Sequence, residues 1–188
     1  MEFLPYSVVS RTLRDRGIVE RREGEGVRYT LRLPGTESPE GFVAAFGPAG
    51  SGAGADRRIE VPREAVASSI DCLLKRAHLG ELALIPFTTW RPVLDLCAFD
   101  LAKDAAWLEI DAEASVQQNP RDPSVVPPKS RHIVRVFAAA LASGGEHPAH
   151  SLTVAAMETP IVIELHHDGT ARLRGATRAI VENLLGKL

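Results

Sequence analysis

This sequence contains few cysteines and few aromatic residues, and its net charge is close to zero. The chain of 188 residues contains two cysteines, Cys72 and Cys97, and neither lies in a CxxC motif or a Cys/His cluster. We therefore expect no disulfide framework, and both thiols are predicted to be buried as small apolar groups. Aromatic residues make up only 5% of the chain, so the core must consist mainly of Val, Leu, Ile and Ala.

Long apolar runs are also missing. No stretch approaches the ~20 apolar residues that a membrane-spanning helix requires, and residues 1–5 do not begin a signal peptide. We therefore expect a cytoplasmic protein without a membrane partner. The formal net charge of −2 argues against a protein that coats nucleic acid, because such binding depends on an excess of Lys and Arg. No motif indicates a cofactor or a small-molecule ligand, and we expect no cofactor.

Hydrophobic periodicity predicts an α+β fold, in which two or three amphipathic helices pack on a mainly antiparallel sheet. Helices are predicted at 62–78, 130–142 and 176–188, and a short one at 97–106. Strands are predicted at 18–22, 27–33, 41–46, 81–87, 92–96, 107–117, 151–157, 160–166 and 170–174. The segment 7–14 fits either a short helix or a strand.

The chain length suits one domain over residues 1–188. A β-rich subdomain at residues 1–46 is an alternative, because the glycine-rich segment 47–58 has the composition of a flexible surface loop. Residues 119–129 contain four prolines and are predicted to be a loop.

Two segments resemble each other. Residues 81–96, ELALIPFTTWRPVLDL, and residues 151–165, SLTVAAMETPIVIEL, each follow a predicted helix and each contain two apolar runs around a threonine and a proline. They predict a duplicated helix–strand–strand unit. Chance similarity between apolar hairpins is the alternative.

Histidines supply the metal-ligand candidates. His147 and His150 precede one predicted strand, and His166, His167 and Asp168 lie at a strand end. Zinc takes imidazole and carboxylate ligands, but the two groups are predicted to lie at opposite ends of a strand, ~20 Å apart at about 3.3 Å per residue. Solvent-facing histidines are the alternative interpretation. Arg172 and Arg174, together with these histidines, could also bind an anion.

Arginine is concentrated near the start of the chain. Residues 10–32 contain seven arginines against four acidic residues, and the nucleic-acid-binding candidates are Arg11, Arg14, Arg16, Arg21 and Arg22. The segment SVVSRTLRDRGIVERREGEGVRYTL resembles the end of a winged-helix DNA-binding domain, with a recognition helix followed by an arginine-rich two-stranded wing. The family has earlier helices packed beneath the recognition helix, whereas six residues precede Ser7 here. Nucleic acid is therefore not the expected partner.

Three functional hypotheses follow, and the first is a non-enzymatic module that binds a protein partner or assembles with itself. Strands such as 82–87 and 161–165 are apolar throughout, as in sheets covered on both faces. The charge is also uneven, with a net +3 in residues 10–32 and −4 in residues 99–115, which could pair between subunits. The alternatives are a metal-dependent enzyme that uses the loop histidines and a DNA-binding protein that uses the N-terminal arginines.

Overall fold

The computed structural model has an α+β fold with a mostly antiparallel sheet, as predicted. It describes residues 1–35, 39–50, 52–109 and 112–186. The strands are β1 (Glu2–Phe3), β2 (Ile18–Glu23), β3 (Gly26–Leu31), β4 (Phe42–Gly47), β5 (Arg57–Glu60), β6 (Leu82–Pro86), β7 (Ser124–Val126), β8 (Leu152–Ala156), β9 (Ile161–Leu165) and β10 (Ala171–Gly175). The helices are α1 (Tyr6–Asp15), α2 (Val66–Ala77), α3 (Trp90–Leu101), α4 (Ala105–Leu108), α5 (Ala112–Gln118), α6 (His132–Gly144) and α7 (Arg178–Leu185).

Within the described ranges, eight strands form one sheet in the order β1-β7-β6-β8-β9-β10-β4-β5, and β2 and β3 form a separate hairpin. Neighbouring strands are antiparallel except β4 and β5, which are parallel. Both β1 and β4 belong to the same sheet as the strands that follow residue 80. None of the helices in these ranges is long and apolar enough to cross a bilayer.

One face of the sheet, here called the helix face, is covered by α2, α3, α6 and α7. Alternate residues of the central strands, such as Leu82, Leu84 and Ile163, point to this face and join one large apolar cluster. Phe137 of α6 is fully buried there between Trp90 and Trp107, with ring centroids 5.8 Å away in each case. Burial of these apolar side chains is the main force that closes this layer.

The opposite face, here called the hairpin face, is covered by α1 and the β2–β3 hairpin. The segment 7–14, which fitted a helix or a strand, lies within α1 and buries Val9 and Leu13. These side chains join a second apolar cluster with Ile18, Tyr29 and Leu31 of the hairpin, which packs on alternate residues of the central strands. The Tyr29 hydroxyl donates a hydrogen bond to the Tyr6 hydroxyl over 3.1 Å, and Tyr6 in turn donates to Glu20.

Two predicted strands were wrong. Residues 92–96 lie in α3, where Pro92 sits in the first helical turn, whose N–H groups have no intrahelical acceptor. The described parts of 107–117 belong to α4 and α5, and the Asp104 carboxylate begins α4 by accepting a hydrogen bond from Trp107 N over 3.0 Å. The apparent alternation of 107–117 reflects small alanines rather than a sheet-facing side. Residues 110 and 111 lie outside the described residues.

The duplicated unit is wrong for the same reason, because residues 81–96 form a strand and a helix, whereas residues 151–165 form the β8–β9 hairpin. Three short strands were not predicted. β7 lies in the proline-rich segment between Pro123 and Pro127, β5 begins within the segment predicted as a loop, and β1 has two residues.

The two cysteines differ in their surroundings. Cys97 is fully buried in α3, as expected for a small apolar side chain, and burial raises the pKa of its thiol to about 12. Cys72 is exposed on α2, so the prediction that both thiols are buried was wrong for this residue.

Candidate binding cleft

The hairpin face changes from apolar to charged along β9 and β10. Glu164 lies opposite Thr153 of β8 on one side and opposite Arg172 of β10 on the other. Arg174 shares the face of Arg172 because side chains of a strand alternate in direction. Glu164 and Thr153 are each only 5% exposed. The apolar sheet therefore carries a strip of buried and half-buried polar side chains at this place.

The hairpin forms a wall beside this strip. Its two faces differ, since Ile18, Tyr29 and Leu31 are buried with α1, whereas Arg28 and Thr30 line the space above β9 and β10. Gly26 is required where the hairpin approaches β6, because a Cβ atom at this residue would lie 2.4 Å from the Phe87 ring.

A cavity of about 510 Å³ lies between the hairpin, β9, β10 and the turn that joins these two strands. We call it the cleft. Five arginines, two histidines and four carboxylates line it, and Tyr29 and Thr30 complete the lining: Arg21, Arg22, Arg28, Arg172, Arg174, His166, His167, Glu23, Glu40, Glu164 and Asp168.

Arg28 connects the hairpin to the end of β9. Its Nε donates to Glu23 Oε2 over 2.5 Å, its Nη1 lies 3.1 Å from His166 Nδ1, and its guanidinium lies 5.0 Å from the Phe87 ring centroid. A guanidinium can only donate, so this contact is a hydrogen bond in the tautomer whose Nδ1 accepts and whose ring proton is on Nε2.

The other side of the His166 ring faces Glu164. Nε2 has no hydrogen-bond partner and lies 3.7 Å from Glu164 Oε2, which is too long for a hydrogen bond. Burial acts to raise the pKa of Glu164, but His166, Arg28 and Arg174 outweigh burial and lower this pKa below its ordinary value. Glu164 therefore stays ionised in a nearly buried position, which requires the surrounding positive charge.

The turn after β9 shifts the pKa values of two neighbouring side chains, His167 and Asp168. Burial is the largest influence on Asp168 and acts to raise its pKa, but the backbone N–H of Thr170, which donates to Asp168 Oδ1 over 2.8 Å, contributes to a net lowering. Burial lowers the pKa of His167, Asp168 acts to raise it, and His166 and Arg28 add to the net lowering. The turn therefore favours the neutral form of His167 and the ionised form of Asp168.

Two arginines of β10 each contact a loop, and one of these loops contributes Glu40 to the cleft lining. Arg172 Nη2 donates to the carbonyl of Ala53 over 3.0 Å, and Arg174 Nη1 donates to the carbonyl of Glu40 over 3.1 Å. The Nε atom of each arginine is buried and has no hydrogen-bond partner. Each guanidinium is thus held by one hydrogen bond to a loop carbonyl, and each keeps donors that are not used within the protein.

The predicted histidine candidates lie at one end of the sheet, and the prediction of opposite ends was wrong. β8 and β9 form a hairpin in which Leu152 lies opposite Leu165, so the residues before β8 and after β9 are neighbours. The backbone N–H of His167 donates a hydrogen bond to Ser151 Oγ over 3.2 Å, which joins the end of β9 to the start of β8.

These candidates differ in exposure. His166 is 9% exposed, whereas His147 lies in an exposed turn and its Nδ1 accepts from Ala149 N over 3.2 Å. His150 Nδ1 accepts from the N–H groups of Glu146 and His147. Among the described residues, no three His, Cys, Asp or Glu side chains are grouped so that they could hold a metal ion.

The predicted arginine candidates divide into two groups. Arg11 and Arg14 are exposed on α1, and Arg16 is exposed directly after it. Arg21 and Arg22 are exposed on β2 and line the cleft. Arg22 also lines a second cavity beside Tyr6 of α1, and only Arg21 and Arg22 of these candidates belong to the cleft.

Sequence reasoning missed Arg28 and Glu164 as site residues. The signal for Glu164 was available, because it is the one charged residue in the apolar strand IVIEL. An ionisable residue in a strand buried on both faces requires a charged partner. The partner Arg28 lies 136 residues earlier in the chain, and only the fold brings it near. Comparison with protein-family models, curated proteins and solved structures finds no match.

Proposed function

We propose that this protein is a non-enzymatic binding module that captures an acidic segment of a protein partner in the cleft. The observation that carries the proposal is the convergence of arginines from the hairpin and from β10 on one cavity of about 510 Å³. Guanidinium groups bind carboxylates through two parallel hydrogen bonds, and arginine is enriched in protein interfaces.

The four carboxylates of the lining favour an acidic peptide over a nucleic acid. Glu23, Glu40, Glu164 and Asp168 would repel a continuous row of phosphates, whereas backbone N–H groups of a peptide could donate to those that face the cavity. The lining therefore suits a ligand that offers both carboxylates and hydrogen-bond donors. A metal-dependent enzyme has less support, because the histidine candidates form no three-ligand group among the described residues.

The first experiment is a fluorescence-anisotropy titration with labelled poly-glutamate and poly-lysine at low salt. We expect saturable binding of poly-glutamate that weakens as salt is added, since exposed charges are screened. Arg28→Gln should weaken this binding about tenfold or more, the effect of losing roughly 1.4 kcal/mol. Arg11→Gln is the matched control, because Arg11 is an equally charged, exposed side chain that does not line the cleft.

Two results would contradict the proposal. One is a lack of poly-glutamate binding by the folded protein, and the other is equal loss of binding in Arg28→Gln and Arg11→Gln. Circular dichroism of both variants separates loss of a ligand contact from loss of the fold.

Self-association is a special case of the same proposal, with an acidic surface of a second copy as the ligand. Asp100, Glu109 and Glu113 are exposed on the helix side of the sheet, away from the cleft. In head-to-tail pairing, the acidic surface of one copy would contact the cleft of the next copy. Sedimentation velocity at several concentrations and salt levels tests it, and a monomer throughout would leave a separate partner as the proposed ligand.

A second candidate function is DNA binding through α1. The observation that favours it is that α1, β2 and β3 adopt the helix–hairpin order of a winged-helix end, with the sheet in the place of supporting helices. Arg11, Arg14 and Arg16 remain exposed on one side of this unit. A gel-shift assay with duplex DNA checks this function, and binding that survives Arg11→Ala plus Arg14→Ala would contradict it.

A further inference from the structure

We infer that the segment bound in the cleft is extended and carries two acidic side chains two residues apart, which pair with Arg172 and Arg174. This inference rests on the proposed function and specifies the ligand of the same cleft. It starts from the arrangement of the floor, where both arginines lie on one face of β10.

The spacing of the two arginines selects the ligand geometry. Residues two apart in a strand point the same way and lie about 7 Å apart, at about 3.3 Å per residue. An extended peptide along β10 places the carboxylates of residues i and i+2 at the same interval. Adjacent acidic residues of an extended peptide point to opposite sides, so only one of them could reach the floor.

The two guanidiniums are held in place before a ligand arrives. Each donates one hydrogen bond to a loop carbonyl, Arg172 to Ala53 and Arg174 to Glu40, and each retains a buried Nε–H without a partner. Holding the side chains in a binding orientation reduces the entropy lost on association. Arg172 and Arg174 therefore present two positive charges at a set spacing to a ligand.

The end of the cleft supplies a second element of a built site. His166 is 9% exposed, lines the cleft, and has an Nε2–H group without a hydrogen-bond partner. Glu164, which lies between this histidine and Arg172 on the floor, repels a carboxylate placed directly above it. Because Glu164 is level with Arg172, the acidic side chain that pairs with Arg172 must approach from the side of β10 away from Glu164.

The test uses three fluorescein-labelled peptides of identical composition. Two aspartates stand in a background of serine and glycine, as Asp-Asp, Asp-Ser-Asp or Asp-Ser-Ser-Asp. We expect the Asp-Ser-Asp isomer to bind about tenfold more tightly than either other isomer, a difference of roughly 1.4 kcal/mol. Equal affinities of the three isomers would overturn the inference.

Variants assign the preference to the two arginines. Arg172→Gln and Arg174→Gln should each reduce the preference for Asp-Ser-Asp, and the double variant should remove it. Arg11→Gln should leave it unchanged. Because these arginines also hold two loops, Arg21→Gln provides a further cleft variant that breaks no such contact: it should weaken all three peptides without changing their order.

The outcomes separate this inference from the proposed function. Binding of all three isomers with equal affinity, weakened by Arg28→Gln, would retain an acidic-segment module and reject the spacing. Failure of every acidic peptide to bind would reject both. Tighter binding of a single-stranded oligothymidylate than of any peptide, through the same arginines, would reject the peptide as the ligand.

Discussion

The two faces of the sheet are covered in different ways. The helix face packs α2, α3, α6 and α7 on aliphatic side chains and fully buried aromatic rings. The hairpin face is apolar only beneath α1 and the inner side of the hairpin, and toward β10 it carries Glu164, Arg172 and Arg174. The same strands thus contribute to a dry interior on one side and to a charged cavity on the other.

The two faces are expected to differ in how much their burial stabilises the fold. Apolar burial is favourable at about 25 cal/mol per Å², whereas taking charges out of water is costly and a buried ion pair often contributes no more than apolar residues would. The hairpin face could be closed by aliphatic residues alone. Stability alone therefore does not account for the charged strip, which agrees with the proposed binding of an acidic segment.

The largest expected change in stability comes from removing a large buried side chain on the helix face. Phe137→Ala should lower the free energy of unfolding by about 3–5 kcal/mol, because it leaves a cavity between Trp90 and Trp107. Urea denaturation followed by circular dichroism measures it. Phe99→Ala is the matched control, since Phe99 is 78% exposed, and it should change stability by less than about 0.5 kcal/mol. Similar losses in both variants would contradict the assignment of the core.

Glu164→Gln tests the charged strip. The variant should lower the free energy of unfolding by about 1–3 kcal/mol near neutral pH, because it leaves the half-buried Arg28 and Arg174 without this carboxylate. The exposed Glu146→Gln serves as its control.

The effect of Glu164→Gln should depend on pH. The folded protein lowers the pKa of Glu164 below its ordinary value of 4.5, so the stabilisation is present above that value and is lost as pH falls through the folded pKa. The wild type and Glu164→Gln should therefore converge in stability below pH 4.5. A constant difference down to the acid-unfolding range would show that the carboxylate charge does not act as described.

The fold class and most long elements could be predicted because their periodicity is strong. The α2 stripe of Val66, Ile70, Leu73 and Leu74 is buried, as helical spacing requires. Residues 92–96 and 107–117 could not be assigned correctly, because short apolar runs fit a strand and a helix equally well. The local signal that decides, an Asp104 side chain at the start of α4, lies outside the run.

The candidate site could be predicted only in part. The histidines and Arg172 and Arg174 were identified from their residue types, but their grouping depends on the antiparallel pairing of β8, β9 and β10. The part of the cleft that the hairpin supplies depends on the contact between Arg28 and His166. Contacts between residues so far apart in sequence leave no periodic pattern in the chain.

A pair of glycines tests the loop whose Ala53 carbonyl accepts a hydrogen bond from Arg172. Gly52 and Gly54 both have positive φ angles, of 76° and 79°, but a Cβ atom at Gly52 would lie 2.5 Å from Ala45 Cβ, whereas none of the surrounding atoms lies within 4 Å at Gly54. Both alanine variants carry the same backbone strain. Gly52→Ala should lose about 1–3 kcal/mol more through overpacking, measured by thermal and urea unfolding. Equal losses would indicate that the loop does not rest on β4.

The smallest effect is expected where charges pair on the outer surface of the helix layer. Arg91 Nε lies 3.0 Å from Asp95 Oδ1, but the side chains are 79% and 61% exposed. Solvent and salt screen such a pair, so Arg91→Gln should change the free energy of unfolding by less than about 0.5 kcal/mol. The measurement is urea denaturation beside Glu164→Gln at the same pH. If Arg91→Gln were as destabilising as Glu164→Gln, burial would not distinguish the two kinds of charge, and the argument that the strip exists for a ligand would lose its physical basis.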